Sequence, residues 1–92
     1  MTRRVLAHYV RFQGRLRRLA VLEWDGEAAP RFVEAQGEIH STVFFNGVVA
    51  VVSPGCQLPA SVRAAEVEGL MKKLPEPEPG QPYDVVMIPF SA

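Results

Sequence analysis

Residues 44 to 55 read Phe44-Phe45-Asn46-Gly47-Val48-Val49-Ala50-Val51-Val52-Ser53-Pro54-Gly55, and this stretch decides the fold. The Asn-Gly pair favours the positive φ angles that a two-residue hairpin turn requires. Asn46-Gly47 therefore predicts a hairpin between strands at residues 38–45 and 48–52. Residues 48–52 contain no polar side chain, which is typical of a central strand covered on both faces. In a small domain such a cover requires a second sheet or a helix.

Toward the N-terminus, a second hairpin is predicted around Gln13-Gly14. Residues 4–12 and 15–24 are rich in β-branched, aromatic and leucine residues, which favour strands. A two-residue turn sets Phe12 opposite Arg15 and, further along, Arg4 opposite Glu23. We predict a buried apolar base and a tip that projects into water. The tip carries Arg11, Arg15, Arg17 and Arg18.

The remaining segments predict one short strand, one helix, a connector and a last strand. The short strand is expected at residues 31–35. Residues 59–74 predict an amphipathic helix, because apolar side chains recur there at helical spacing. These apolar positions are Ala60, Ala64, Val67, Leu70, Met71 and Leu74. The alternating prolines of residues 75–82 predict a stiff extended connector, and residues 83–90 a strand in which Pro89 favours an edge or an end.

Length and composition indicate one folded domain, residues 1–92. Hydrophobic residues make up 48% and charged residues 22% of the chain, which is ordinary for a globular protein. Ten basic and ten acidic residues cancel. This balance removes the simplest argument for binding to nucleic acid or to a membrane surface.

Cysteine usage and the N-terminal residues indicate a cytoplasmic protein. The single cysteine, Cys56, cannot form an internal disulfide, which fits a reducing compartment. His8 and Arg11 interrupt the first apolar run too early for a secretory signal. Nowhere does the sequence contain an uninterrupted apolar run of about 18 residues that could span a bilayer. We therefore expect no membrane partner.

The predicted fold is mainly β with one helix. We expect a small two-layer β-sandwich or barrel-like sheet, mainly antiparallel and built from two packed sheets, with the helix between strands. The C-terminal strand is expected to return beside the N-terminal strands.

In this order the motifs resemble the accessory β-sandwich of amidohydrolase-type metal-dependent hydrolases. The similar segments are Ala7-His8-Tyr9-Val10, residues 14–22, Asp25-Gly26, Phe45-Asn46-Gly47, Pro54-Gly55 and residues 79–88. In that family the Pro-Gly corner leads into a His-x-His metal motif. Here Ala60 and Val62 stand at those positions, and neither can bind a metal. The resemblance implies a sandwich-like domain without the catalytic barrel, and no hydrolase residue carries over.

The candidate chemical groups are His8, His40 and Cys56. Each stands alone, without a second His or Cys at metal-ligand spacing. Packing or hydrogen bonding is the simplest role for each, and a chemical role stays open. We predict no catalytic, cofactor-binding or metal-binding residue, and we expect that the chain is not an enzyme.

Three classes of function follow from these observations, and a small enzyme or metal binder is the last of them. The first is a non-catalytic interaction or assembly module, either a homo-oligomer or bound to an unidentified protein partner. The alternative is binding of nucleic acid or an acidic partner through the first hairpin, where positive charge and aromatic rings combine. The predicted partner-binding residues are Tyr9, Arg11, Phe12, Arg15, Arg17 and Arg18.

Overall fold

The computed structural model describes residues 3–25, 30–33 and 42–91. Its elements are β1 (Arg3–Phe12), β2 (Arg15–Trp24), β3 (Arg31–Val33), β4 (Thr42–Val52), a 3-10 turn (Ala64–Glu66), α1 (Val67–Lys73) and β5 (Asp84–Pro89). The strand order is β3-β2-β1-β4-β5, with β1 and β4 parallel and the other neighbours antiparallel. The predicted class, mainly β with one helix between strands and a returning C-terminal strand, is confirmed. The five strands form one mixed sheet that is not closed into a barrel.

The first hairpin has the predicted turn and register. Gln13 and Gly14 have φ angles of 54° and 73°, the combination found in type I′ turns. Phe12 faces Arg15, as the two-residue loop requires. The register continues without a shift to the far end of β1, where Arg3 faces Trp24.

The predicted hairpin at Asn46-Gly47 is wrong, because β4 runs straight through it. Two residues of β4, Asn46 and Gly47, lie opposite the single residue His8 of β1, which makes a β-bulge. A Cβ at Gly47 would overlap Ile88 O and lie 2.9 Å from Pro89 Cα. Glycine is therefore required here for close approach of β5, not for a reversal of the chain. Of the strand predicted at residues 38–45, residues 38–41 lie outside the described residues.

Three strands depart from regular alternation at the level of this bulge. On β1, Val5 and Ala7 belong to the same apolar cluster as Val10 and Phe12, so the side chains change face between Ala7 and Val10. On β2, Leu19 has a φ of 48°. These irregularities divide the three strands into a base and a tip half. The base consists of residues 3–7, 20–24 and 42–45, and the tip half of residues 9–18 and 48–52.

The tip half of β4 is covered on both faces, as predicted. Val48, Ala50 and Val52 pack on the helix side, whereas Val49 and Val51 pack in the cluster on the other face. The helix-side cluster is completed by Val62, Val67, Met71, Leu74 and Ile88. A fully buried valine contributes about 1.5–3 kcal/mol. One sheet with a helix across one face thus replaces the predicted pair of packed sheets in the part of the chain described.

The helix is shorter than predicted. Residues 59–63 are not helical, and the 3-10 turn and α1 together cover residues 64–73. The N–H of Val62 donates to Pro89 O (3.0 Å), and the N–H of Ser91 donates to Val62 O (2.9 Å). Val62 therefore pairs with the C-terminal segment instead of opening a helix. Ala60 and Ala64, assigned to the apolar side of the predicted helix, are exposed.

The C-terminal strand lies beside β4, so its predicted place beside the N-terminal strands is wrong. β4 pairs in parallel with β1 and occupies that position itself. β5 pairs with β4 from Gly47–Pro89 to Val52–Asp84. Pro89 is the last residue of this edge strand, where its missing N–H costs no ladder bond.

Candidate functional site

The arginines of the first hairpin lie on two faces of the sheet. Cross-strand partners share a face. The pairs Tyr9–Arg18 and Arg11–Leu16 face α1, because all four residues line one cavity with Met71. The pairs Phe12–Arg15 and Val10–Arg17 face the other side. The predicted partner-binding residues therefore do not form a single surface.

Arg11 is held by the connector and does not project into water. Its side chain is only 13% exposed, and Nη1 donates to Leu74 O at 2.9 Å. Its Nε lies 3.3 Å from Oε1 of Glu76, which also accepts a hydrogen bond from the N–H of Gly14 at 2.7 Å. Glu76 thus joins the connector to Arg11 and to the turn of the hairpin. The prediction that the whole tip is solvated is wrong for Arg11.

Phe12 is also buried, contrary to the prediction for the tip. Its ring makes an edge contact with Phe32 of β3, with centroids 5.6 Å apart. The guanidinium of Arg17 lies over the same Phe32 ring at 4.4 Å. The cation–π contact thus engages Arg17 with Phe32, and Phe12, one of the two rings expected to offer stacking surface, is buried against the same ring. Arg15 remains exposed.

A cavity of about 330 Å³ separates the hairpin from α1. Its lining combines apolar and cationic side chains with one carboxylate. The lining residues are Tyr9, Arg11, Gly14, Leu16, Arg18, Glu68, Met71 and Lys72. Arg18 lies 5.7 Å from the ring centre of Tyr9, so its guanidinium stands at the wall of this cavity.

The base half of β4 forms an exposed apolar surface. Val43 is 63% and Phe44 54% exposed, although successive strand residues point to opposite faces. Phe44 contacts the ring of His8 at a centroid distance of 5.3 Å, and His8 lies equally far from Phe90. We define the β4 patch as Leu6, His8, Leu19, Phe44 and Phe90. Leu6 pairs with Phe44 in the sheet, and Leu19 lies between the hairpin pairs Ala7–Ala20 and Tyr9–Arg18, at the level of His8.

Leu19 combines exposure with an unfavourable backbone conformation. It is 64% exposed and has a φ of 48°, which is rare for a residue with a large side chain. The left-handed region costs a non-glycine residue about 1–2 kcal/mol. A side chain that is both strained and exposed does not serve the core.

Glu23 is the buried charged residue of the described core. Its carboxylate pairs with Arg4, its predicted cross-strand partner, and with Arg31 of β3, whose Nε donates at 2.9 Å. The hydrogen bonds from Arg4 and then Arg31 hold the pKa of Glu23 below its ordinary value, and they outweigh the opposing effect of burial. This cluster ties β3 to the base of the hairpin.

The isolated chemical groups form no centre in the part of the chain that is described. Within those residues no three His, Cys, Asp or Glu side chains come together to hold a metal. His8 Nδ1 is buried and has no hydrogen-bond partner there. The thiol of Cys56 lies 3.6 Å from Gln57 O. His40 lies outside the described residues.

Sequence reasoning missed two parts of these sites. The first is Glu76, whose partners Arg11 and Gly14 are more than 60 residues away in the chain. Glu76 is visible in the sequence as a carboxylate inside a proline-rich connector, but nothing nearby in the sequence identifies its partners. The second is Phe44, which was assigned to a hairpin strand.

Comparison with protein-family models, with curated proteins and with known structures found no match. Among the described residues no helix has the length and apolar character needed to cross a membrane.

Proposed function

We propose that this chain is a non-catalytic assembly module that self-associates through the β4 patch. The observation that carries the proposal is the contrast between the two halves of β4. Residues 48–52 are at most 3% exposed, whereas Val43 and Phe44 of the same strand are more than half exposed. The bulge at Asn46-Gly47 separates the two halves.

The ladder of β5 ends at the same place. β5 pairs with β4 from Val52 back to Gly47, and the N–H of Phe90 then donates to Asn46 O at 3.2 Å. Beyond this point the described neighbour of β4 is β1. A strand end with apolar side chains on both faces is a surface that proteins cover by pairing or packing against another chain.

A second copy of the chain is the occupant that the charges favour. Ten basic and ten acidic residues leave no net charge, so two copies do not repel one another at long range. A two-fold contact would also bury Phe44 and Leu19 from each copy. Covering the exposed half of one phenylalanine contributes about 1 kcal/mol, and a two-fold axis doubles it.

The test is the molar mass of matched variants by size-exclusion chromatography with light scattering. Phe44→Ser and Leu19→Ser are each expected to shift the population from dimer to monomer, with the circular dichroism of a folded sheet retained. Met87→Ser removes another exposed apolar side chain, on β5 and outside the patch, and serves as the control. A dimer that survives both patch variants, or is lost equally with Met87→Ser, contradicts the proposal.

Binding of nucleic acid through the first hairpin has less support. Its arginines lie on two faces, Arg11 is paired with Glu76, and Arg17 is stacked on Phe32. The relation to the amidohydrolase accessory sandwich stays a hypothesis. So does a cytoplasmic location, which the free thiol of Cys56 supports.

A further inference from the structure

The cavity between the first hairpin and α1 has the composition of a ligand site. Its volume of about 330 Å³ falls at the lower end of the range of small-molecule pockets, about 300–1,000 Å³. Tyr9, Leu16 and Met71 provide apolar walls, and Arg18 and Lys72 stand at its margin with Glu68. Such pockets combine a mainly apolar wall with a few polar groups that fix orientation.

We propose that this cavity binds a small organic anion with an apolar body and a carboxylate or phosphate head. The charges decide the sign of the ligand. Three cations line the cavity against one carboxylate, and Glu76 compensates only Arg11. The described residues give Arg18 and Lys72 no ion pair, so both are available to a ligand.

Arg18 provides a guanidinium in the cavity wall that can bind an oxyanion. Its guanidinium lies 5.7 Å from the ring centre of Tyr9, and the same ring makes an edge contact with Phe90 at 6.1 Å. A guanidinium near an aromatic ring keeps N–H groups at its rim, and these match carboxylate and phosphate oxygens in pairs. An anion bound there would place its apolar body against Leu16 and Met71.

One wall of the cavity is fixed before any ligand arrives. Arg11 is held by Leu74 O and by Glu76, and Glu76 also holds the turn at Gly14. The hairpin wall and the C-terminal end of α1 are thereby joined. Preorganisation of this kind lowers the entropy that binding costs. The cavity shares no lining residue with the β4 patch, although Tyr9 contacts Phe90 of that patch, so failure of one proposal leaves the other standing.

The test is a titration of isotope-labelled protein with benzoate, phenyl phosphate and the neutral benzyl alcohol, followed by amide NMR. Either anion is expected to shift the amide signals of Gly14, Leu16 and Lys72, and the tighter anion identifies the head group. Benzyl alcohol is expected to bind at least about tenfold more weakly, because it cannot form charge-assisted hydrogen bonds. Equal binding of benzyl alcohol, or no shift around the cavity with either anion, overturns the proposal.

Matched variants assign the binding to these side chains. Arg18→Gln and Lys72→Gln are each expected to weaken the anion about tenfold, and Glu68→Gln to strengthen it, since it removes the opposing charge. Arg15→Gln, on the other face, and Lys73→Gln, the next residue of α1, remove the same charge outside the cavity. A loss with these controls as large as with Arg18→Gln and Lys72→Gln contradicts a built site.

Discussion

The Glu76 carboxylate accepts a hydrogen bond from the N–H of Gly14 at 2.7 Å, which joins the proline-rich connector to the turn of the first hairpin. The same carboxylate lies 3.3 Å from Nε of Arg11. One side chain thereby satisfies the turn and neutralises the least exposed arginine of the hairpin. The connector is a structural part of the domain and not a loose spacer.

Removal of the Glu76 carboxylate is expected to destabilise the fold. Glu76→Ala leaves the largely buried Arg11 without its carboxylate, and we expect a loss of about 1–2 kcal/mol in the free energy of unfolding. Glu78→Ala, an exposed glutamate of the same connector, is the control and should change the free energy by less than about 0.5 kcal/mol. Urea denaturation measures both. Equal urea midpoints for the two variants would show that the contacts of Glu76 contribute nothing to stability.

Replacement by alanine is expected to have opposite effects on stability at Gly47 and at Gly69. A methyl group at Gly47 overlaps the backbone of β5, so Gly47→Ala is expected to cost about 2–4 kcal/mol or to prevent folding. Gly69 lies within α1 with open space around its Cβ position, so Gly69→Ala should stabilise by about 0.5–1 kcal/mol. Thermal unfolding of the pair measures the difference. A tolerated Gly47→Ala would exclude the close approach of β5 at the bulge.

The sequence predicts what depends on neighbouring residues and misses what depends on distant ones. The Gln13-Gly14 turn fixes the register of β1 and β2 locally, and the apolar run at residues 48–52 demands a central strand. Asn46-Gly47 carries the same turn chemistry, but packing of Ile88 and Pro89 against Gly47 made it a bulge. No short sequence motif indicates that β1 pairs in parallel with β4, and none indicates the partners of Glu76.

The stability of the domain is expected to decrease as the pH is lowered, because Glu23 becomes protonated. Its folded-state pKa lies below the ordinary value of 4.5, because Arg4 and Arg31 stabilise the carboxylate. The unfolded chain therefore binds more protons in the window below about pH 4.5, and this contribution is lost as the pH falls through the folded-state pKa. Glu23→Gln should destabilise more at about pH 7 than at about pH 3.

Urea denaturation of wild type and Glu23→Gln at the two pH values measures this difference. Glu78→Gln, an exposed glutamate, controls for the general effect of removing a carboxylate. A destabilisation by Glu23→Gln that is the same at both pH values would mean that the Arg4–Glu23–Arg31 cluster contributes no pH-dependent stability.

The strain and exposure of Leu19 predict that its replacement can weaken self-association without destabilising the monomer. Leu19→Gly relieves a positive φ and removes an exposed side chain, so the monomer should keep its stability or gain up to about 1 kcal/mol while self-association weakens. Ala20→Gly, its neighbour in β2, should lower stability by about 0.5–1 kcal/mol. Chemical denaturation of monomeric samples compares them. Equal destabilisation by the two glycine variants would contradict strain at Leu19.

Self-association through the β4 patch is the central claim, and sedimentation velocity of the wild-type chain tests it most directly. Across micromolar to millimolar concentrations we expect the weight-average mass to rise from the 10.2 kDa monomer toward twice that value, and Phe44→Ser to remain at the monomer mass throughout. A wild-type chain that sediments at 10.2 kDa at every concentration would contradict the claim.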